Sequence, residues 1–217
     1  MDIIQKQLAF FFRDSFKGSF EELSLNIKKK LGDSESTQYI PIFPNAPLEI
    51  PRLVLRYKDY ALNLSINRAD ILVTNVTTLD HMKSVIDDLM TVLTDTYKIN
   101  INRIGFVQKS FFESNIGKLL DLIVEKEKYS SAKELSIRIN FPKEINKYSC
   151  NNIESLNFVL ANKLENGKQV SVPGILIERD MNTLPEKCSE YLFTKENIHD
   201  LISEIAKEIK DSILLKL

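Results

Sequence analysis

The sequence contains two histidines, each directly next to an aspartate, and such pairs could bind a metal ion or transfer a proton. Asp80 precedes His81, and His199 precedes Asp200, and each pair lies near the start of a predicted long helix. If the two halves of the chain pack against each other, the pairs could come together. A histidine in the first turn of a helix is more often an exposed polar residue. No His-Glu-x-x-His motif and no Cys/His spacing accompanies either pair.

Three carboxylates are the other candidates for chemistry. Asp70, Glu178 and Asp180 lie at the ends of predicted strands, where metal-dependent hydrolases of phosphoesters often place acidic groups. Ordinary turns also carry aspartate there. With six glycines, the sequence has no Walker motif, no dinucleotide fingerprint and no Gly-x-Ser-x-Gly. We expect no cofactor, and a metal-assisted hydrolase is an alternative hypothesis that requires these side chains to converge.

Arginines on one predicted sheet face could bind carboxylate or phosphate groups. Arg52, Arg56 and Arg68 are the recognition candidates on this face. Asn63, Ser65 and Asn67 are expected on the same face or its rim. A solvated outer face is the alternative interpretation. Lys and Arg (29) balance Asp and Glu (30), and no aromatic residues are interleaved, so a nucleic-acid partner is possible but not favoured.

Phenylalanines near the N-terminus are the strongest candidates for a partner interface. They are Phe10, Phe11, Phe12, Phe16 and Phe20. The apolar spacing predicts a helix over residues 2–16, and three consecutive residues of a helix cannot all face one core. Either this helix is enclosed within the domain, or one side meets a protein partner or a second copy. We therefore favour a non-enzymatic binding module, a subunit of a complex or a homo-oligomer.

The elements that position these residues begin with a three-stranded meander. From Leu53 to Thr74, apolar and polar residues alternate, which predicts antiparallel strands with one apolar face. Before it, Ser19 and Glu22 form a capping box, and Gly32 is a helix stop, so a short helix is predicted between them. The prolines of residues 34–51 predict a connector along the sheet edge.

The second part of the chain repeats this plan of strands followed by a helix. Asn166-Gly167 is a strong hairpin signal, and Pro173-Gly174 predicts a bulge or an edge position in its second strand. The other predictions are a helix over 77–97, an extended segment over 99–112, a helix capped by Ser114, a strand over 135–141, hairpin strands over 154–164 and 168–178, and a final helix from Thr194.

The predicted fold class is α+β. We expect a curved antiparallel sheet built from two halves of three strands plus a helix, with long helices covering one face and an N-terminal helical appendage. The predicted divisions are an N-terminal helical segment (1–33), a proline-rich connector (34–51) and an α+β domain (52–217).

The composition favours a soluble cytoplasmic protein. Of the 217 residues, 43% are hydrophobic and 27% are charged, which is ordinary for a globular protein. Cys150 and Cys188 are isolated, so we expect free thiols in a reducing compartment. The longest apolar run, Leu8 to Phe12, is too short to span a membrane, and the N-terminus lacks the features of a secretory signal.

Two segments resemble an uncharacterised, sporadically distributed bacterial protein family. The first is Asn102-Arg103-Ile104-Gly105-Phe106, and the second is Gly174-Ile175-Leu176-Ile177-Glu178-Arg179-Asp180, followed by a loop and a terminal helix. The resemblance covers roughly residue 47 to the C-terminus, and this chain differs by its extra segment before Asp33. It implies a fold and no established activity, so no functional residue is carried over.

Overall fold

Ten strands form one open antiparallel sheet, with 44% of the chain in strands and 29% in helices. The computed structural model describes residues 2–41, 43, 45–73, 79–121, 126–129, 131–165 and 167–210. The strands are β1 Asp2–Phe12, β2 Ser36–Tyr39, β3 Leu53–Arg56, β4 Tyr60–Leu64, β5 Arg68–Val73, β6 Ile101–Glu113, β7 Ser136–Asn140, β8 Lys143–Ile145, β9 Tyr148–Glu165 and β10 Lys168–Thr183. The helices are α1 Phe20–Leu31, α2 Leu79–Met90 continued by a π-helix Thr91–Thr96, α3 Gly117–Leu120 and α4 Lys195–Lys210, with 3₁₀ turns at Lys126–Tyr129 and Pro185–Glu190.

The strand order is β2-β3-β4-β5-β1-β6-β10-β9-β7, with β8 also paired to β9. Two blocks of three strands, β3-β4-β5 and β10-β9-β7, therefore flank a central pair, β1 and β6. Each block is followed along the chain by a long helix, α2 or α4. The predicted α+β class with an antiparallel sheet is confirmed.

The helix predicted over residues 2–16 is wrong, because residues 2–12 form the strand β1. Leu8 and Phe10 are 0% exposed and Phe12 is buried with them, so alternate residues of β1 enter the core. Alternation also accounts for three consecutive phenylalanines, because neighbouring side chains of a strand point to opposite faces. The expected helical appendage is thus a central strand between β5 and β6, and α1 alone is helical in this segment.

All the helices that contribute to the core lie on one face of the sheet. Leu23 and Ile27 of α1, together with apolar residues of α2 and α4, pack with Leu8 and Phe10 of β1. The predicted ends of α1 are confirmed. Ser19 Oγ accepts a hydrogen bond from the Glu22 N–H at 3.2 Å, and Gly32 ends the helix with φ of 83°.

Several local predictions turn out differently. Ser114 caps no helix, because α3 begins only at Gly117 and Ile116 occupies the capping position. No bulge occurs at Pro173-Gly174, since β10 keeps its register with β9 through both residues. Gly174 is the first β10 residue in register with β6, and the Pro173 carbonyl accepts a hydrogen bond from the Ser114 N–H at 3.2 Å just beyond the end of β6, so Pro173 lies where the pairing of these two strands ends. Thr74, Thr77 and Asn166 lie outside the described residues.

Arg179 of β10 joins the sheet to the end of α4. Its Nη1 donates a hydrogen bond to the Ile209 carbonyl at 2.7 Å, and its Nε lies 3.8 Å from a carboxylate oxygen of Glu154. Burial lowers the pKa of Arg179, and the Glu154 carboxylate acts in the opposite direction. In the described part of the chain, no helix is both long and apolar enough to cross a membrane.

The assignment of β1 predicts unequal costs for two neighbouring substitutions. Phe10→Ala opens a cavity in the core and should cost about 3–5 kcal/mol of unfolding free energy. Phe11→Ala lies on the other face and should cost about 1–2 kcal/mol, since a half-buried ring loses less transfer energy. Urea unfolding followed by circular dichroism measures both values. Equal costs would contradict the alternation of β1.

Candidate functional site

The sheet face opposite the helices, which we call the open face, carries the candidate site. On β1, Leu8 and Phe10 point to the helices, so Gln7, Ala9 and Phe11 point to the open face. Phe11 is half-buried there. No helix of the described chain packs its apolar side on this face, so its side chains are available to a ligand or partner.

Two arginines flank Phe11 on the open face. Phe11 is the register partner of Arg68 in β5 and of Arg103 in β6. The guanidinium carbon of Arg68 lies 4.8 Å from the ring centroid, and that of Arg103 lies 4.3 Å from it. Each contact of this kind contributes roughly 0.5–2 kcal/mol, depending on burial. We call Arg68, Phe11 and Arg103 the Arg-Phe-Arg cluster.

Arg68 is held by a carboxylate. Its Nη2 and Nε lie 2.6 Å and 2.8 Å from Oδ1 of Asp70. Gln7 on β1 donates a further hydrogen bond to the same oxygen at 3.0 Å. Asp70 is only 8% exposed, so the carboxylate is largely shielded from solvent, whereas the Arg68 side chain is partly exposed. Most of the charge of Arg68 is neutralised within the protein.

Arg103 is held by an amide instead. Its Nη2 donates to Oδ1 of Asn182 at 3.3 Å, and Asn182 donates in turn to Asp180 at 3.0 Å. Among the described residues no carboxylate lies within 4 Å of Arg103, and its Nε has no acceptor. Burial lowers the pKa of Arg103, and the nearby Asp180 carboxylate raises it. Arg103 therefore keeps hydrogen-bond donors that a partner could use.

Charge on the centre of the open face is balanced. Lys109 of β6 pairs with Glu178 of β10 at 2.9 Å. We count the charged side chains of the open face on the neighbouring strands β5, β1, β6 and β10, at the positions in register with residues 103–109 of β6. Three are basic and three are acidic: Arg68, Arg103, Lys109, Asp70, Glu178 and Asp180. A phosphate backbone requires a basic excess, so this face does not favour nucleic acid.

The three arginines predicted from the sequence do not form one site. Only Arg68 belongs to the cluster. Arg56 is exposed and pairs with Ala61 at the other end of the meander. Arg52 is 3% exposed and lies beside the start of β3, so it is no part of an outer recognition face. Two of the three predicted recognition residues therefore lie away from the cluster.

The hydrolase alternative requires acidic side chains and histidines to converge, and those that the structure describes do not. Asp70 and Asp180 both face the open side within strands, yet β1 and β6 separate them, a distance of about 14 Å at ~4.8 Å per strand. His199 lies among the helices, where its Nε2 is 2.6 Å from Asp87 Oδ1. The side chains of Asp80 and His81 lie outside the described residues. No group of three potential metal ligands forms among the residues described.

The phenylalanines predicted as a partner interface belong mostly to the core. Phe10, Phe12 and Phe16 are buried, and Phe20 packs against the same cluster. They cannot form the exposed side of a docking helix, because β1 replaces that helix. Of the five predicted residues, only Phe11 faces the open side.

Sequence reasoning missed Arg103, which is the most distinctive residue of the cluster. Its signal was present in the Arg-Ile-Gly segment that carries the family resemblance. That segment forms β6, and the second segment of the resemblance forms β10, its antiparallel neighbour. The position of Arg103 beside Phe11 depends on β1, which had been predicted as a helix.

Comparisons with known proteins do not identify a family. No protein-family model matches the chain, and a search of curated proteins gives no match. Among solved structures, the fold is similar to a rolling circle replication initiator protein from Geobacillus stearothermophilus, with a TM-score of 0.25 and 10% identity, over 83% of this chain and 72% of that chain. This TM-score is too low to carry an argument. The resemblance to the uncharacterised bacterial family stays a prediction.

The two thiols should differ in reactivity. Cys150 is 0% exposed, and burial raises its pKa to about 11, so little thiolate forms at pH 8. Cys188 is half-buried in the 3₁₀ turn Pro185–Glu190, close enough to Arg103 to interact electrostatically. Ellman's reagent should titrate one thiol rapidly in the folded protein and two in denaturant.

Cys188→Ser is the matched control for this measurement. It should abolish the rapid phase and leave the slow thiol unchanged. A rapid reaction that persists in this variant would show that Cys150 is accessible, which contradicts its burial.

Proposed function

We propose that the chain is a non-enzymatic protein-interaction module that binds a second copy of itself through the open face. The observation that supports this most directly is the Arg-Phe-Arg cluster, a preformed group of aromatic and arginine side chains on the sheet face opposite α1, α2 and α4. Aromatic residues and arginine are enriched at the centres of protein interfaces, where they carry most of the binding energy.

Preorganisation makes the cluster suited to binding. Asp70 and Phe11 hold the guanidinium of Arg68, and Asn182 and Phe11 hold that of Arg103. Side chains that are already fixed lose less conformational entropy when a partner binds. The unused N–H groups of Arg103 can then donate hydrogen bonds to a carboxylate or carbonyl oxygen of the partner at little ordering cost.

Charge and area favour a second copy as the partner. Equal numbers of acidic and basic groups at the centre of the open face allow a twofold-related copy to place opposite charges together. Six neighbouring strands form the middle of the sheet: β4, β5, β1, β6, β10 and β9. Their open face covers on the order of 700 Å², at ~4.8 Å per strand and ~3.3 Å per residue. A standard interface buries about 800 Å² on each partner. The open face is therefore of the same order of size as one side of a standard dimer interface.

Cytoplasmic location is part of the same proposal. Both cysteines are free, which is the usual state in a reducing compartment. The interface predicted for the N-terminal phenylalanines is replaced in this proposal by the open face, to which only Phe11 contributes.

Charge reversal on the open face should weaken self-association. Arg103→Glu and Lys109→Glu each place a negative charge beside Asp180 or Glu178, and we expect at least about a tenfold loss of dimer affinity, or ~1.4 kcal/mol. Lys29→Glu reverses an exposed charge on α1 and should leave the affinity unchanged. Sedimentation equilibrium across a range of protein concentrations measures all four proteins.

Two outcomes would overturn the proposal. One is a wild-type chain that stays monomeric at about 100 µM; the other is an equal loss of affinity in the Lys29 variant. Fluorescence anisotropy with labelled oligothymidylate tests the nucleic-acid alternative. Tight binding there with a steep salt dependence, lost in Arg103→Glu, would move the function of the open face to nucleic acid.

A further inference from the structure

A cavity of about 360 Å³ lies beside the N-terminus of α1. Gly18, Phe20 and Glu21 line it from the helix start, Tyr39 lines it from the end of β2, and Arg52 lines it beside β3. No residue of the Arg-Phe-Arg cluster contributes to it. Cavities of this size hold small ligands rather than single ions.

Arg52 is buried in this cavity without a counter-charge. It is 3% exposed, and its Nε has no hydrogen-bond acceptor among the described residues. Among the described residues, no carboxylate oxygen lies within 4 Å of the Arg52 guanidinium. The backbone of Arg52 does have a partner, because its N–H donates a hydrogen bond to the Leu64 carbonyl at 2.7 Å. A buried unpaired charge destabilises a protein, so an anion from solution is the expected partner.

The first turn of α1 supplies the second half of an anion site. α1 has 12 residues, and the Ser19 side chain satisfies one of the free N–H groups at its start, that of Glu22 at 3.2 Å. The Phe20 N–H has no acceptor among the described residues. Free N–H groups and the helix dipole together attract negative charge to such an end.

A carboxylate already occupies part of this position. Glu21 accepts a hydrogen bond from Ser19 Oγ at 2.6 Å and lines the same cavity. This bond and one from its own backbone N–H lower the pKa of Glu21. Glu21 is fully exposed, so it can move aside, and it forms no ion pair with Arg52. It therefore competes with any anion that enters.

We propose that this cavity binds a small phosphate monoester. The phosphate lies between the Arg52 guanidinium and the first turn of α1, and the organic part lies against Tyr39, whose ring is half exposed. Arginine suits this group, because its planar fork can donate two hydrogen bonds to one phosphate. This site is independent of self-association through the open face.

Isothermal titration of the full chain with phenyl phosphate tests the site. The wild type should bind with a dissociation constant below about 1 mM, and Arg52→Met should weaken binding at least tenfold. Glu21→Gln removes the competing charge and should tighten binding several-fold. Arg56→Met, which removes an exposed arginine of β3, is the matched control and should bind as the wild type does.

Stability separates the binding role of Arg52 from a structural one. In phosphate-free buffer, Arg52→Met should unfold at a higher temperature than the wild type, because it removes an unpaired buried charge. If that variant fails to fold, Glu21→Gln decides the matter, and unchanged or weaker binding there overturns the proposal. No binding by the wild type at 10 mM phenyl phosphate also overturns it, and equal affinity for inorganic phosphate overturns the assignment to a monoester.

Discussion

The pairing of β1 with both β5 and β6 is the constraint on which the rest of the structure depends. This strand joins β5, the last strand of one block, to β6, which in turn pairs with β10 of the other block. Alternate residues of β1 lie on opposite faces of the sheet. Leu8, Phe10 and Phe12 pack in the core beneath the helices, and Phe11 contacts two arginines on the other face. A shift of one residue would exchange Phe10 with Phe11 and destroy both.

Arg68, Arg103 and Arg52 differ in the group that compensates the charge of the guanidinium. Arg68 is paired with a largely buried carboxylate, Arg103 has a neutral amide, and Arg52 has no partner among the described residues. In the first case the protein neutralises the charge itself. In the other two, part of the stabilisation is left for an outside group, and these positions are where binding should be sought.

The sequence was informative where local patterns decide the structure. The meander, the capped helix α1 and the hairpin of β9 and β10 follow from alternation, capping residues and a turn signal, none of which requires a distant partner. β1 was misread because Leu8, Phe12 and Phe16 fit both a helical and an alternating spacing, and only its pairing with remote strands distinguishes the two. The same remote pairing hid the cluster, since Arg68 and Arg103 meet only across β1. The burial of Arg52 depends on α1 and the connector folding around it, which no local pattern reports.

The central position of β1 also affects how the chain is made. During synthesis β1 leaves the ribosome before β5 and β6, and it cannot be paired on both sides until both of them have followed it. During that interval the apolar run from Leu8 to Phe12 is an unprotected edge, the kind of segment that joins other nascent chains. Synthesis of this protein should therefore depend on a chaperone that shields β1, more than synthesis of a protein with local strand pairing would.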